Sequence, residues 1–212
     1  MAIYEEGVLG PFEGRVGNVI GYRWRGKFVM RSRPKSKRRG QSTEKQLASR
    51  ARLRLMQAYL QERVDFIRKG FSLAPELSKM SAFNAAMSYN LKNSISGEYP
   101  DYQVDYSKVV FSRGELALPR DIKMKQEGNV LYLSWSTEIE EGASYNDQAM
   151  IMLSGVKDLG GNPSANPRDA GTESIDIEGL SPGTELFVHI AFISDDRQRV
   201  SDSQYLGSII VE

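Results

Sequence analysis

Apolar and polar positions alternate at period two in the stretch that begins at Tyr22. Tyr22, Trp24, Phe28 and Met30 are interleaved with Arg23, Arg25, Lys27 and Arg31. That period is the strand signature, and it predicts one face of rings and apolar chains and an opposite face of cations. Arg25-Gly26 separates the two runs, where a tight turn uses glycine's access to positive φ. The pattern predicts a basic β-hairpin followed by a basic tail running into a helix.

From Ser42-Thr43 the period changes. Thr43 with Gln46 fits a capping box, in which each side chain satisfies a free amide at a helix start. Leu53, Met56, Leu60, Val64, Ile67 and Phe71 then recur at three- and four-residue steps, widened by Leu47, Ala51, Leu55 and Ala58. This is one helical stripe with Gly70 as terminator. Arg50 and Arg54 share a face, with Arg52 pointing elsewhere. A linker-like piece, 72–81, precedes a second helix over 81–95, whose Phe83, Met87, Leu91 and Ile95 repeat every four residues. Two striped helices with a short connection are expected to pair antiparallel. Residues 102–111 read as extended, and a domain boundary is expected at 115/116.

Beyond the boundary the pattern is all-β. Leu131, Leu133 and Trp135 alternate within 129–136, and apolar runs recur at 149–153, 174–177, 186–193 and 205–211. Glu127-Gly128-Asn129, Gly160-Gly161-Asn162-Pro163 and Pro182-Gly183 punctuate them. Short strands at this spacing predict a sandwich. The expected fold class is therefore α+β: an N-terminal basic β-hairpin with an antiparallel helix pair over 1–115, then an all-β sandwich over 116–212.

Charge adds a polarity that the near-neutral total conceals. Residues 1–69 hold 17 of the 28 Lys and Arg and 6 of the 27 Asp and Glu, a formal net of +11; the remainder has 11 against 21, a net of −10. A polyanion, an acidic neighbour or plain solvation all suit the basic end. The chain has no cysteine, which excludes disulfides, thiolate metal sites and a cysteine nucleophile. The first residues do not resemble a signal peptide, and no apolar run reaches the ~20 residues of a membrane helix. A cytoplasmic location with no membrane association is the expectation.

Catalytic and metal patterns fail on inspection. Gly7, Gly10, Gly14, Gly17 and Gly21 match neither the P-loop nor the dinucleotide fingerprint, and suit turns and close approaches in short strands. His189 is the single histidine, too few for a His-rich metal site, and is expected to be structural. Glu138, Glu140, Glu141 and Asp147 lack the rhythm of a calcium loop and are expected to lie in a solvated loop. Ser42 to Lys45 matches Ser-x-x-Lys without the companion Lys-Thr-Gly element. No catalytic residue, metal site or cofactor is expected, and the chain is expected not to be an enzyme.

Two resemblances rest on particular residues. Asn129 to Ser136, with its tryptophan, and Leu180 to Val188 resemble the second strand and the turn into the sixth strand of a fibronectin type III domain. Leu186 stands where that family usually has a tyrosine. The resemblance covers about residues 118–212 and implies a fold, not a ligand. The whole chain is also similar to an uncharacterised bacterial family of about 210 residues with no assigned activity, through 14–19, 43–51, 88–93, 99–102 and 105–109.

In the fibronectin-like reading Leu186, Val188, Ile190 and Phe192 face the core and Phe187, His189, Ala191 and Ile193 face outward. Residues 149–153 are also apolar on both faces. A free sandwich shows polar residues there, so an interface at Phe187, Ala191 and Ile193 is expected, within the chain or with a second copy. The functional expectation is a non-catalytic binding or assembly protein presenting its sandwich to a protein or glycan partner. The alternative is sequence-nonspecific nucleic-acid binding through Arg23, Arg25, Lys27, Arg31, Arg33, Lys35, Lys37, Arg38 and Arg39, with Arg50 and Arg54 on the helix. Tyr22, Trp24 and Phe28 are read in the first instance as the hairpin's buried face.

Overall fold

A two-residue connection joins Val19–Trp24 (β3) to Lys27–Ser32 (β4), with Trp24 paired to Lys27 and Gly26 at φ 76°. The structure, a computed structural model, describes residues 2–4, 10–24, 26–33, 42–74, 80–155 and 159–211. The basic tail and the linker around Pro75 lie outside the described residues. The predicted hairpin is the end of an antiparallel meander, Ala2–Tyr4 (β1), Phe12–Val16 (β2), β3 and β4 in sheet order. Gly21 marks a close approach: a Cβ there would sit 2.2 Å from the Phe12 carbonyl oxygen and 2.8 Å from its ring. Pairing between β2 and β3 runs from Val16–Val19 to Gly14–Gly21 and goes no further. Tyr22, Arg23 and Trp24 therefore pair with β4 alone.

The expected segregation of rings from cations is not found. Alternation holds within each strand, but the register pairs Tyr22 with Val29 and Arg23 with Phe28. Even positions on one strand thus share a face with odd positions on the other. Tyr22 and Trp24 lie on one face together with Lys27 and Arg31, and Phe28 and Met30 lie on the other with Arg23. A two-residue turn imposes this, because the summed numbers of paired residues are odd.

Met1–Ser42 and Thr43–Glu212 are the chain's two compact units. This division does not coincide with the expected boundary at 115/116: the helices belong with the sandwich. In the second unit Thr43 caps Glu44–Gln61 (α1) as the motif predicts. Its Oγ1 accepts from the Gln46 amide at 3.4 Å, and Gln46 Oε1 accepts from the Thr43 amide at 3.3 Å. The apolar stripe runs on to Phe71, but the helix does not. Arg63 leaves helical geometry (φ −110°, ψ 18°), and Val64–Gly70 (α2) follows as a separate helix. The break turns the buried Arg63 guanidinium inward, where it donates to the carbonyls of Tyr59 (2.6 Å) and Gly155 (2.8 Å). Leu47 and Leu53 belong to the predicted stripe yet stay exposed, because only the second half of α1 is covered.

Ser81 caps Ala82–Asn93 (α3) by accepting from the Asn84 amide. Arg52 donates to the Leu91 carbonyl at 2.7 Å, and Leu53 and Gln57 face Phe83, so α1 and α3 run antiparallel. The buried face of α3 is Ala85, Ala86, Met87 and Asn90; of the predicted line Met87 is buried, and Phe83, Leu91 and Ile95 pack against the core half-buried. Asn90 acts as a surrogate strand: it donates to the Val110 carbonyl and accepts from the Val110 amide, both at 2.9 Å. That holds 109–111 against the helix without a strand partner. The extended reading of 102–111 accordingly shrinks to Gln103–Val104 (β6), paired with Ile95–Ser96 (β5), and one turn of 3-10 helix at Tyr106–Lys108.

Two sheets form the sandwich. Lys123–Glu127 (β7), Val130–Ser134 (β8) and Thr172–Asp176 (β11) pair in the order β11-β8-β7. Gln148–Ser154 (β9), Leu159–Asn162 (β10), Glu185–Ile193 (β12) and Gln204–Ile210 (β13) pair in the order β10-β9-β12-β13. The sequence pattern did not reveal β7, and it read β10 as a turn because of its two glycines. Leu131, Leu133 and Trp135 from one sheet and Ile151, Leu153, Leu186, Val188, Ile190 and Phe192 from the other build the inner core. A second core lies on the far side of β9 and β12, where Met150, Met152, Ala191 and Ile193 meet Met56, Leu60, Ile67, Phe71 and Ala86. The unit is a three-layer stack of helices, sheet and sheet, with two apolar seams.

Candidate functional site

The tip of the β3–β4 hairpin is basic and aromatic at once. Trp24 is 56% exposed and Phe28 42%, so the reading of these rings as a buried face does not hold. A four-stranded meander buries little, and the close crossing of β2 at Gly21 leaves the tip beyond its reach. Arg23, Lys27, Arg31 and Arg33 are all exposed. The Arg23 guanidinium lies 5.4 Å from the Phe28 ring centre, and that of Arg31 lies 5.5 Å from Tyr22. These are cross-strand cation–π pairs, one on each face, and they hold rings and charges together. No Asp or Glu occurs from residue 14 to residue 43. Arg25, Lys35, Lys37, Arg38 and Arg39 lie outside the described residues.

Arg50 and Arg54 are exposed on α1 and line one shallow depression of about 520 Å³ with Leu53, Gln57, Ala58 and Gln61. Arg52 turns away to Leu91 and lies 5.9 Å from the Tyr102 ring.

The apolar outer face of β9 and β12 is occupied by the chain itself. Ala191 and Ile193 sit in the seam with the helices, and Phe187 stacks on Tyr106 at 4.0 Å with the rings 9° from parallel. His189 lies in the same seam. Its Nε2 is 3.1 Å from the Tyr106 carbonyl, and Phe111 meets it edge-on at 4.9 Å. Burial pulls its pKa down to about 4, against the smaller opposing effects of the Tyr106 and Phe187 backbone groups. Nearby, Tyr59 Oη is 3.2 Å from Ser154 Oγ, and burial pushes the phenol up to about 12. Both are neutral groups at ordinary pH, enclosed in the seam.

Asp147 departs from the expected solvated loop. It is fully buried, 3.5 Å from the equally buried Arg168. Arg168 donates to the Ala117 carbonyl at 2.7 Å, and its own carbonyl accepts from Trp135 Nε1 at 2.8 Å. The pair is an internal brace. Glu140 instead binds Arg120, Nε to Oε1 at 2.6 Å. Among the described residues no three of His, Asp and Glu group closely enough to hold a metal ion. Among them, too, no helix is long and apolar enough to cross a membrane.

One surface escaped the sequence reading. The outer face of the β11-β8-β7 sheet carries a row in which Lys125 and Ser174 flank Tyr132 across the three strands. Tyr132 is 41% exposed between the buried Leu131 and Leu133. The signal was the outward phase of an alternation whose inward phase was already recognised.

These features define a β-sandwich with a helical layer sealed over one sheet, joined in sequence to a small basic β-meander. The chain belongs to the Family of unknown function (DUF6266), whose model matches residues 11–207. No curated protein is significantly similar to it. Among solved structures it is similar to the crystal structure of chicken CNTN1 FN1-FN3 domains, at 13% identity and a TM-score of 0.36 over 47% of this chain and 33% of that one. It is also similar to the solution structure of the fn3 domain of human contactin 1, at 11% identity and a TM-score of 0.33 over 48% of this chain and 82% of that one. The chain thus spans about a third of the chicken chain.

Proposed function

We propose that this is a non-catalytic binding or assembly protein of the cytoplasm, and that it presents its β-sandwich to a protein or glycan partner through the β11-β8-β7 sheet. The observation that supports this reading is the row Lys125–Tyr132–Ser174 on an open face, while the opposite face of the sandwich is taken up by the chain's own helices. A half-exposed ring flanked by the Lys125–Glu127 ion pair and a hydroxyl suits stacking on a sugar or filling an apolar notch on a protein. A photo-reactive residue at position 132 should crosslink a discrete partner in cells. The same residue at Tyr145, exposed in a loop, should not. Equal or absent adducts at the two positions would overturn the reading.

A second reading has its own observation. Exposed Trp24 and Phe28 beside cations favour nucleic-acid binding without sequence preference through the basic stretch Arg23 to Arg39. Retention of the nuclease-treated protein on phosphocellulose, lost on a salt gradient, is expected. Flow-through at low salt would remove this reading.

A further inference from the structure

We propose that the β3–β4 tip is an arm that enters the groove of a duplex nucleic acid; this rests on the second reading above and gives it a specific form. The first observation is the register. A platform for single strands places its rings and cations on one side, so that bases stack while the backbone tracks beside them. Here Tyr22, Trp24, Lys27 and Arg31 lie on one side, and Arg23 and Phe28 on the other. Neither face is apolar enough to be a core or uncharged enough to be idle. Cations on both faces of a ribbon match a surrounding that is anionic on both sides. A nucleic-acid groove, walled by two phosphate backbones, is such a surrounding.

The second observation is shape. Beyond Gly14–Gly21 the arm is two strands wide, and Tyr22–Val29, Arg23–Phe28 and Trp24–Lys27 are its three further pairs. At ~3.3 Å per residue they project about 10 Å. The major groove of B-form DNA is ~12 Å wide and ~8.5 Å deep, and it admits a two-stranded ribbon. The exposed Trp24 and Phe28 near the end of the arm are then placed against the groove floor, where apolar contact asks for no particular sequence. Arg23 and Lys27 on the arm, and Arg31, whose guanidinium reaches Tyr22 from the arm's base, are placed to meet phosphates. Cation–π contacts with Phe28 and Tyr22 pre-position two of these guanidiniums in the free protein. No acidic residue follows until Glu44, so nothing in the stretch repels the backbone.

The test uses the intact chain with a fluorescent 20-base-pair DNA and its separated strand, by anisotropy over a range of salt. The duplex should bind at least tenfold more tightly, with log K falling against log salt at a slope of about −2.7 for three contacts. Arg23→Glu and Arg31→Glu reverse one charge on opposite faces of the β3–β4 ribbon, the first on the arm and the second at its base. Each alone should weaken duplex binding by tenfold or more, and Arg23→Lys and Arg31→Lys should restore most of it, which separates charge from folding. If the single strand binds as well as the duplex, or if one of the two reversals has no effect, the groove-entering arm is wrong while nucleic-acid binding stands. If neither nucleic acid binds, the reading beneath it falls as well.

Discussion

The Arg168 guanidinium lies 3.5 Å from the Asp147 carboxylate, and neither residue reaches solvent. Among the described residues, Asp147 Oδ1 and Arg168 Nε and Nη1 have no hydrogen-bond partner. The pair is thus neutralised but not fully satisfied, and its desolvation is costly. Breaking it from one side is expected to cost roughly 3–5 kcal/mol, because the other charge is left buried alone. Arg168→Met should therefore be severe, and Arg168→Met with Asp147→Leu distinctly milder. Urea melts of the two variants and the parent check the order. Equal losses would show that the brace is not electrostatic.

Trp135 leans on the same brace through its indole N–H and packs edge-on against Phe192 at 5.4 Å. Truncation to alanine removes a large buried ring, and Trp135→Ala is expected to destabilise by roughly 3–5 kcal/mol. Trp135→Phe keeps most of the packing and loses the hydrogen bond, so it should cost clearly less. Thermal denaturation of both variants measures the difference.

His189 makes stability depend on pH in one direction. Its folded pKa, about 4, lies below the ordinary 6.5. The unfolded chain therefore binds a proton that the folded chain refuses between those values. Stability is full above about pH 6.5, falls as the pH drops toward 4 and levels off below that, a loss of roughly 3 kcal/mol from this residue. His189→Gln should keep the fold and flatten that part of the profile. An unchanged slope between pH 6.5 and 4 in the variant would assign it to other groups.

The seam between helices and sandwich is expected to decide whether the sandwich stands alone. A fragment of residues 116–212 would expose Met150, Met152, Ala191 and Ile193. It should bind a hydrophobic dye or self-associate, whereas the intact chain should do neither. In the intact chain Met152→Lys places a charge in that seam and should lower the melting temperature sharply. A monomeric, dye-silent fragment would contradict the three-layer account.

Legibility followed the reach of each signal. Local signals were readable: the capping box at Thr43, the turn at Gly26 and the alternation around Trp135. So was the anomaly of β12, where Phe187, Ala191 and Ile193 are apolar on the outward phase, because a free sheet has no use for it. Properties set by pairing were not readable. Which face Phe28 shares with Arg23 depends on the count of residues in a turn, not on the alternation of either strand. The break at Arg63 is invisible for a similar reason. The stripe continues through it, and the carbonyl of Gly155 that draws the guanidinium inward is 92 residues away. Asp147 and Arg168 look like loop residues in sequence, since nothing local marks a charge as buried. Tyr132 was in plain view but counted only as the polar phase of its strand.

Chain order gives the covering helices a problem of timing. Met56, Leu60 and Ile67 leave the ribosome long before Met150, Met152, Ala191 and Ile193 exist to receive them. At ~5–20 residues per second, the roughly 130 residues between the end of α1 and the end of β12 take on the order of 6–26 s to synthesise. For that interval the helices carry an unburied apolar stripe, and β9 and β12 on arrival are apolar on both sides. Until β12 arrives that stripe is expected to need protection from other chains, and a chain truncated before β12 is expected to aggregate.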